Sequence, residues 1–424
     1  MEKILINKFF YKTIEPNTKK NYFIKKRKYL FNIIVIMIFL SILLFSNDKL
    51  NYNLTFPKRT IEKNPTEEMI NMQNYINLVL NGTLIDKDKL YYPSKNPLIS
   101  IIISVYNGEA YLKTALLSIQ NQELKDLEII MVDDFSKDNS INLIKELMKN
   151  EPRIILLENK ENRGPLYTKS TGVLHAKGKY VMTLDEDDMY CQREAFSSLF
   201  IEAEKNNLDI LSFMFVYSGA KISPRKHKYS NEKKIMHQPQ IGEIMFHFNS
   251  KGNVEQSGGN LVRLFIKTKL YRNIISQIDE KYMKEKMFYH DDFIIYFLLT
   301  RNAYNMEFID RIFYICLKIW DQNDPKVKFR TKIKRQDINN KKCFGFLIFL
   351  EMFLELTRNN YRDKKIAFSQ LNTWYLQQKI CINNAVTKDK AVRVFNLYIN
   401  NKYISKEDKK IIQNFINSAN NKIL

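Results

Sequence analysis

From Pro97 onward the sequence alternates between uninterrupted apolar runs and segments with helical periodicity. The run PLISIIISVYN is typical of a strand buried on both faces, and GEAYLKTALLSIQNQ after it carries apolar residues at helical spacing. Further strand-like runs, LEIIMVDD, RIILLEN, KYVMTLD and DILSFMF, are each separated from the next by a helical segment. Repeated βα units predict an α/β fold with a mostly parallel sheet flanked by helices.

Polar residues follow the first four predicted strands. They are Tyr106 and Asn107 after the first strand, Asp133 and Asp134 after the second, Arg163 and Gly164 after the third, and Asp185 to Asp188 after the fourth. In parallel sheets, ligands bind at the carboxyl ends of the strands. A single strand-end aspartate could simply cap the next helix. Four strand ends meeting at one rim instead predict a functional site.

The acidic run DEDD, from Asp185 to Asp188, stands out in a chain whose formal net charge is +21. Carboxylates this close repel one another and resist desolvation unless a positive charge neutralises them. A solvent-facing or helix-capping run is the alternative interpretation. Hard carboxylate oxygens are ligands that Mg²⁺ and Mn²⁺ prefer, so the run predicts a site for one of these cations.

These motifs together carry a family resemblance. ISIIISVYNGEAYLKTALLSIQNQELKDLEIIMVDDFSKDNS, followed by ENRGPLYTKSTGVLHAKGKYVMTLDEDD, resembles the opening of family 2 glycosyltransferases of the GT-A fold. The resemblance runs from about Pro97 to Phe215 and weakens through to about Trp320. It implies a Rossmann-like nucleotide-binding half and an acceptor half. It also implies a metal-dependent inverting hexosyl- or N-acetylhexosaminyl-transferase, which moves a sugar from a nucleotide sugar, foremost a UDP-sugar, to a hydroxyl of a glycan, protein or lipid.

The resemblance also implies roles for individual residues near the donor. Ser104 and Tyr106 correspond to residues that line the base pocket, and Asp134 corresponds to the carboxylate that hydrogen-bonds the base. Lys169 lies where the family usually has an arginine near the nucleotide, which keeps the charge but loses the planar fork. The predicted donor-binding residues are Ser104, Tyr106, Asn107, Asp133, Asp134, Arg163, Lys169 and Asp185; those predicted to contact metal, within or beside the DxD motif, are Asp187 and Asp188.

The acceptor half is marked by MFYHDDFIIYFLLT, where a helical pattern follows Asp291 and Asp292. Family members carry a Glu-Asp pair here, whose aspartate is the general base. Asp292 matches that aspartate, and Asp291 replaces the glutamate, so both are predicted to be catalytic. A pair of helix-capping aspartates is the alternative. Where many members have a basic residue and a histidine, this chain has Lys318 and Trp320, and tryptophan cannot ligate a metal.

The N-terminal region predicts a membrane anchor. A basic cluster at Lys25–Lys28 precedes an uncharged run from Tyr29 to Asn47, close to the about 20 apolar residues that a spanning helix needs. Positive charge before the run predicts a cytosolic N-terminus and a catalytic domain in the Golgi or endoplasmic reticulum lumen. Sequons at Asn53 and Asn81 agree with that orientation, whereas a signal peptide and a buried helix are the alternatives.

The predicted domain organisation follows from these patterns. It comprises a cytosolic tail (1–28), a transmembrane anchor (29–47), a stem (48–96), a glycosyltransferase domain (97–325) and a helical C-terminal region (326–424). Glu351 and Glu355 lie on one face of FGFLIFLEMFLELT, which predicts a helix packed on the domain and not a second membrane span. Lysines and arginines are spread along the chain with no nucleic-acid motif, so we expect no nucleic-acid partner. The four cysteines lack metal-ligand spacing, and they could pair or remain thiols.

Two other functions are alternatives to an active, single-pass transferase. A catalytically inactive membrane-anchored protein could keep the same fold, since a fold does not guarantee chemistry. The carboxylates retained at the key positions argue against that alternative. A processive polysaccharide synthase would need several membrane spans and usually a QxxRW-type motif, and the sequence shows neither.

Overall fold

The computed structural model describes most of the chain from residue 67 onward. The described residues are 67–217, 235–244, 246–248, 254–256, 259–287, 290–317, 335–356, 385–400 and a few single positions between 406 and 417. None of the helices in these ranges is both long and apolar enough to cross a membrane. On this finding the predicted single-pass membrane location is wrong. The run from Tyr29 to Asn47, on which that prediction rested, lies outside the described residues, as do Asn53, Lys318 and Trp320.

A mixed sheet forms the centre of the described molecule. Its strands, and those of a separate pair, are β1 Ile99–Val105, β2 Leu127–Asp133, β3 Ile154–Glu158, β4 Tyr180–Asp185, β5 Met189–Tyr190, β6 Ile210–Tyr217, β7 Met236–His237, β8 Phe246–Phe248, β9 Val254–Gln256, β10 Leu264–Lys267 and β11 Asn305–Cys316. The strand order in the main sheet is β3-β2-β1-β4-β10-β6-β11-β5, with β7 beside β11. Strands β8 and β9 form the separate antiparallel pair.

Helices cover both faces of this sheet. They are α1 Glu67–Leu80, α2 Leu112–Gln120, α3 Ser140–Met148, α4 Pro165–His175, α5 Ala195–Lys205, α6 Gln240–Glu243, α7 Thr268–Ile275, α8 Glu280–Lys284, α9 Asp291–Asn302, α10 Arg335–Leu356 and α11 Ala385–Ile399, with a 3₁₀ turn at Leu261–Arg263. The predicted α/β architecture is therefore confirmed for the described residues.

The sheet is parallel in the half that the apolar runs predicted. Strands β1, β2, β3 and β4 pair in parallel, and β6 pairs in parallel with β11. The short strand β10 inserts antiparallel between β4 and β6. Strands β5 and β7 also run antiparallel to β11. The sheet is thus more mixed than the repeated βα units suggest.

Each central strand buries side chains on both faces, because helices lie above and below it. Ile102 of β1 belongs to the core formed with α4, α7 and α9. Its neighbours Ile101 and Ile103 belong to the opposite core, formed with α2, α3 and α5. This two-sided burial explains why β1 reads as a continuous apolar run and not as an alternating one.

Helix α1 is part of the folded core. Tyr75, Ile76 and Val79 are buried in a third apolar cluster with residues of β5, β6 and β11. The Tyr75 hydroxyl donates to the Ser118 carbonyl oxygen at 2.7 Å and accepts from Gln122 Nε2 at 3.1 Å. The predicted stem therefore contains a helix that packs on the sheet, and the domain boundaries drawn from the sequence stay predictions.

The C-terminal helices pack against α8 and α9. Phe353 of α10 contacts Phe297 of α9, with ring centroids 4.5 Å apart. Glu355 accepts from Lys281 Nζ at 2.6 Å and from the Tyr282 hydroxyl at 2.8 Å, which ties α10 to α8. The helix expected at FGFLIFLEMFLELT is therefore present, and Glu355 supplies one of its polar contacts.

Candidate active site

The strand registers bring the predicted donor residues to one rim. Ser104 lies beside Asp185 of β4, and Val105 lies beside Asp133 of β2. Tyr106, the next residue after β1, has 44% of its surface exposed. The carboxyl ends of β1, β2 and β4 thus place a serine, a tyrosine and two aspartates along one edge, as expected for a parallel sheet.

The loops after β1 and β2 are held together by local hydrogen bonds. Asn107 donates its backbone N–H to Ser136 Oγ at 2.9 Å, and its side-chain oxygen accepts from the Lys137 N–H at 2.7 Å. Asn107 and Phe135 both adopt left-handed backbone conformations, with φ of 55° and 64°. Such a conformation is uncommon for a residue other than glycine. Phe135 lies beside Asp134 with its ring partly exposed.

Asp134 anchors the start of α4. One of its oxygens accepts from the Arg163 N–H at 2.7 Å and from Asn159 Nδ2 at 2.9 Å. The other accepts from the Gly164 N–H at 2.8 Å. Gly164 has φ of 84°, and Pro165 follows as the first helical residue, a position that suits proline. Asp134 thus holds the loop between β3 and α4 against the end of β2.

Buried polar atoms without a hydrogen-bond partner gather at this same edge. Among the described residues they include Asp133 Oδ1, Asn162 Oδ1 and Arg163 Nε. Burial raises the pKa of Asp133, although the Ser136 N–H donates to its other oxygen at 2.9 Å. Buried polar groups normally have partners, so these atoms fit a site that a polar ligand completes. Asn162 was not predicted from the sequence. The available signal was its position between two predicted strand-end groups, Asp134 and, directly after it, Arg163.

Lys169 of α4 connects the predicted donor rim to the predicted acceptor half. Its Nζ lies 2.9 Å from Asp292 Oδ1, 3.1 Å from Asp291 Oδ2 and 3.7 Å from Asp185 Oδ1. The lysine side chain is 9% exposed. Burial alone would lower the pKa of Lys169, but the three carboxylates together hold it well above its usual range. We call these four side chains the carboxylate–lysine cluster.

The two aspartates of this cluster at the start of α9 differ in their contacts. Asp292 accepts from Lys169 through one oxygen, and its other oxygen accepts from the Leu261 N–H at 3.3 Å. Burial raises the pKa of Asp292, Lys169 lowers it, and Asp291 raises it further, with a net upward shift. The first turn of a helix favours carboxylates, so α9 also stabilises both negative charges. The N-cap residue of α9 is His290, so neither aspartate is the capping residue, and both lie in the first turn of the helix.

Asp188 makes different contacts from the rest of the acidic run. It is buried, its Oδ2 accepts from the Tyr314 hydroxyl at 2.8 Å, and its Oδ1 accepts from the Leu317 N–H at 2.8 Å. Burial and the neighbouring Asp187 and Asp185 carboxylates raise the pKa of Asp188 to about 8. Its contacts fasten the loop after β4 to the end of β11. A metal-contacting role for Asp188 stays a prediction, and its geometry favours anchoring.

The predicted divalent cation is supported by the charge of this site and not by a preformed set of metal ligands. Burial and the nearby Asp292 and Asp187 carboxylates raise the pKa of Asp185 despite its contact with Lys169. The cluster and Asp187 together comprise four carboxylates and one ammonium, so a divalent cation would balance their formal charge. Among the described residues, no three His, Cys, Asp or Glu side chains form a metal-binding group. Mg²⁺ commonly uses one or two protein carboxylates together with substrate phosphates, and half-buried Asp187 could supply one.

His290 precedes α9 in a left-handed conformation, with φ of 71°. Its ring lies against the aromatic side chains of α9 and α10, with centroids 5.5 Å from Phe293 and 5.6 Å from Phe346. Packing in this aromatic group, and not ligation of a metal, is the role that these contacts support.

Comparison with known protein families gives a match for the first part of the sheet. The family model described as glycosyl transferase family 2 matches residues 100–264, which hold β1 to β6 and the acidic run. Residues 100–264 therefore match glycosyltransferase family 2. This match confirms the predicted family over that part of the chain.

Two named relatives match part of the sequence. The chain is 30% identical over 151 residues to the uncharacterized glycosyltransferase EpsJ of Bacillus subtilis, a match that covers 36% of this chain and 43% of EpsJ. It is 40% identical over 93 residues to a GalNAc(5)-diNAcBac-PP-undecaprenol beta-1,3-glucosyltransferase of Campylobacter jejuni, covering 22% and 30% of the two chains. The chain thus spans less than half the length of either relative. Both relatives come from bacteria.

A solved structure shares the fold. The crystal structure of S. aureus TarS 1-349 in complex with UDP-GlcNAc superposes with a TM-score of 0.50 at 14% sequence identity. The superposition covers 71% of this chain and 80% of that chain. At this identity the likeness concerns the fold alone, and it agrees with the GT-A-like arrangement of sheet and helices.

Proposed function

We propose that this chain is an inverting glycosyltransferase that moves a sugar from a nucleotide-sugar donor to a hydroxyl of a glycan-bearing acceptor. The observation that carries the proposal is the carboxylate–lysine cluster. Asp185 at a donor-side strand end and Asp291 and Asp292 at the start of α9 lie around one lysine. This arrangement brings a donor-binding group and a candidate base to one point, which a displacement at the anomeric carbon requires.

In the proposed reaction, Asp292 takes the proton of the acceptor hydroxyl as its oxygen attacks the anomeric carbon. The bond from that carbon to the diphosphate breaks on the opposite side, so the configuration inverts. Asp134, Asn162 and Arg163 lie where the nucleotide would bind, and exposed Tyr106 would cover the base. Asp187, near Asp185, would hold a Mn²⁺ or Mg²⁺ ion that supplies positive charge against the departing diphosphate.

UDP-sugars are the first donors to test. The Campylobacter relative is named a glucosyltransferase, and the TarS structure contains UDP-GlcNAc. We would incubate the purified chain with UDP-glucose, UDP-GlcNAc and matched GDP-sugars, with Mn²⁺, with Mg²⁺ or with EDTA, and measure the released nucleoside diphosphate. Undecaprenol-linked and free oligosaccharides would be offered as acceptors. The proposal predicts metal-dependent release from at least one UDP-sugar.

Two outcomes of this experiment would contradict parts of the proposal. Tight UDP binding without release from any donor would favour the inactive binding protein. Full activity in EDTA would remove the cation from the proposal while leaving the transferase. Asp187→Ala is the matched variant: we expect it to lose metal-dependent UDP binding while it stays folded, because Asp187 lies at a half-buried loop position outside the core. Unchanged metal dependence in this variant would mean that the acidic run only caps and anchors.

A further inference from the structure

Lys169 is placed differently from what its sequence position implies. The resemblance puts it where the family usually has an arginine near the nucleotide. In the structure its ammonium group instead contacts the carboxylates of Asp185, Asp291 and Asp292. Lys169 is 7% exposed as a whole residue. An ammonium this enclosed has most of its hydrogen-bonding capacity directed at those carboxylates, and little of it faces a solvent-filled donor site.

The contact with Asp292 is the shortest of the three. Lys169 Nζ donates to Asp292 Oδ1 at 2.9 Å, and the Leu261 N–H donates to Asp292 Oδ2 at 3.3 Å. Two donors on different oxygens fix the plane of a carboxylate, as one donor could not. The orientation of a general base controls proton transfer, because the base must meet the acceptor hydroxyl within hydrogen-bond reach.

The charge balance gives Lys169 a second effect on the same group. Three carboxylates share this one ammonium, which lies within 2.9 to 3.7 Å of each of them. Its positive charge offsets their mutual repulsion and favours the charged form of Asp292, which a general base needs. Removing Lys169 would leave three neighbouring carboxylates that repel one another.

We propose that Lys169 is a positioning residue for the general base: it orients Asp292 and ties it to Asp185, and it does not bind the donor directly. This inference rests on the proposed function. A positioning role and a donor-contacting role predict different effects on donor binding and on turnover. A residue acting through Asp292 affects turnover and leaves the affinity for nucleoside diphosphate nearly unchanged.

The test compares Lys169→Met with Lys169→Arg, using the UDP-sugar that the donor panel identifies. We expect Lys169→Met to lower kcat by about 10²-fold, the effect of a misplaced catalytic group, while donor KM and the calorimetric Kd for UDP with Mn²⁺ change by less than about threefold. Lys169→Arg should recover most of the turnover, because it keeps the charge at a position where the family usually has arginine. A loss of UDP affinity of about tenfold or more in Lys169→Met would overturn the proposal.

A double-mutant cycle separates positioning from general structural support. In an Asp292→Asn background, Lys169→Met should cost less than about threefold further, because residues that act as a unit are non-additive. The full additional loss in that background would overturn the proposal, since it would show that Lys169 acts without Asp292.

A charge-balanced variant separates a loss of turnover from misfolding caused by unbalanced charge. Lys169→Met combined with Asp291→Asn keeps the net charge of the cluster, and its melting temperature shows whether it is folded. The proposal predicts that this folded variant stays slow, because Asp292 still lacks its orienting donor. Recovery of turnover to the level of Asp291→Asn alone would mean that Lys169 only balances charge, which contradicts the proposal. If the wild-type chain turned over no nucleotide sugar, the proposed function itself would fail, a result distinct from any of these.

Discussion

At the residue scale, the site depends on side chains whose backbone or partners are unusual. Phe135 follows Asp134 with φ of 64°, although a β-carbon makes this region costly. The strain persists because neighbouring groups fix the loop: the Ser136 N–H donates to Asp133, and the Asn107 N–H donates to Ser136. Lys137 Nζ lies 3.2 Å from the centre of the Phe135 ring. Local strain of this kind concentrates at functional sites.

A matched pair of variants measures that strain. Phe135→Ala and Phe135→Gly both remove the ring, but only glycine relieves the left-handed conformation. We expect the glycine variant to be more stable to urea than the alanine variant by about 1 kcal/mol, opposite to the usual order for an ordinary backbone position. Equal stability, or a more stable alanine variant, would show that the backbone at Phe135 is not strained.

At the element scale, helix α4 places Lys169 because it approaches the sheet closely. The close approach occurs at Gly172, one turn after Lys169. A β-carbon on Gly172 would lie 2.5 Å from Ile102 Cγ2 and 3.2 Å from Val132 Cγ2. Ile102 of β1 and Val132 of β2 are fully buried, so their side chains have little room to move.

Gly172→Ala tests this packing because two effects predict opposite signs. Helix propensity alone favours alanine by about 1 kcal/mol, whereas overpacking costs about 1–3 kcal/mol. We expect overpacking to dominate, so the variant should be less stable to urea than the wild type. Thr171→Ala, at the preceding half-buried position, is the control and should change stability by less than about 0.5 kcal/mol. A stabilised Gly172→Ala chain would contradict the close packing of α4.

The elements differ in how well the sequence predicts them. Strands β1 to β4 are readable because burial on both faces makes each a continuous apolar run. Strand β10 is only four residues long, and the sequence does not predict it as a central strand. Its place between β4 and β6 depends on chain segments that are distant in sequence. The strand-end aspartates could be predicted from position alone. The contacts of Lys169 with Asp291 and Asp292 could not, because those pairs are 122 and 123 residues apart.

At the scale of the whole molecule, the C-terminal helices support the helix that carries the candidate base. Phe349 and Phe353 of α10 stack on each other and lie against aromatic residues of α9. Lys390 of α11 pairs with Glu351 of α10 and with Glu285, which follows α8. The described part of the C-terminal region is therefore packed against the predicted acceptor half.

Phe353→Ala should reveal this support. Phe353 is fully buried, so its truncation should cost about 3–5 kcal/mol of unfolding free energy. Because Phe353 packs against Phe297 of α9, we also expect a lower turnover rate in the folded variant. Leu397→Ala, at a half-exposed position of α11, is the control and should change neither quantity appreciably. Wild-type stability in Phe353→Ala would show that α10 does not support α9.

The most direct test of the whole account is turnover by Asp292→Asn, measured beside UDP binding. Asparagine keeps the size of the side chain and caps helices about as well as aspartate, but it cannot take the acceptor proton. We expect UDP release during sugar transfer to fall by roughly 10²–10⁴-fold, the usual contribution of a general base, while the calorimetric affinity for UDP with Mn²⁺ stays near that of the wild type. Asp291→Asn should have a milder effect. Full turnover by Asp292→Asn would contradict the assignment of the base, and full turnover by both variants would contradict the assignment of the acceptor half.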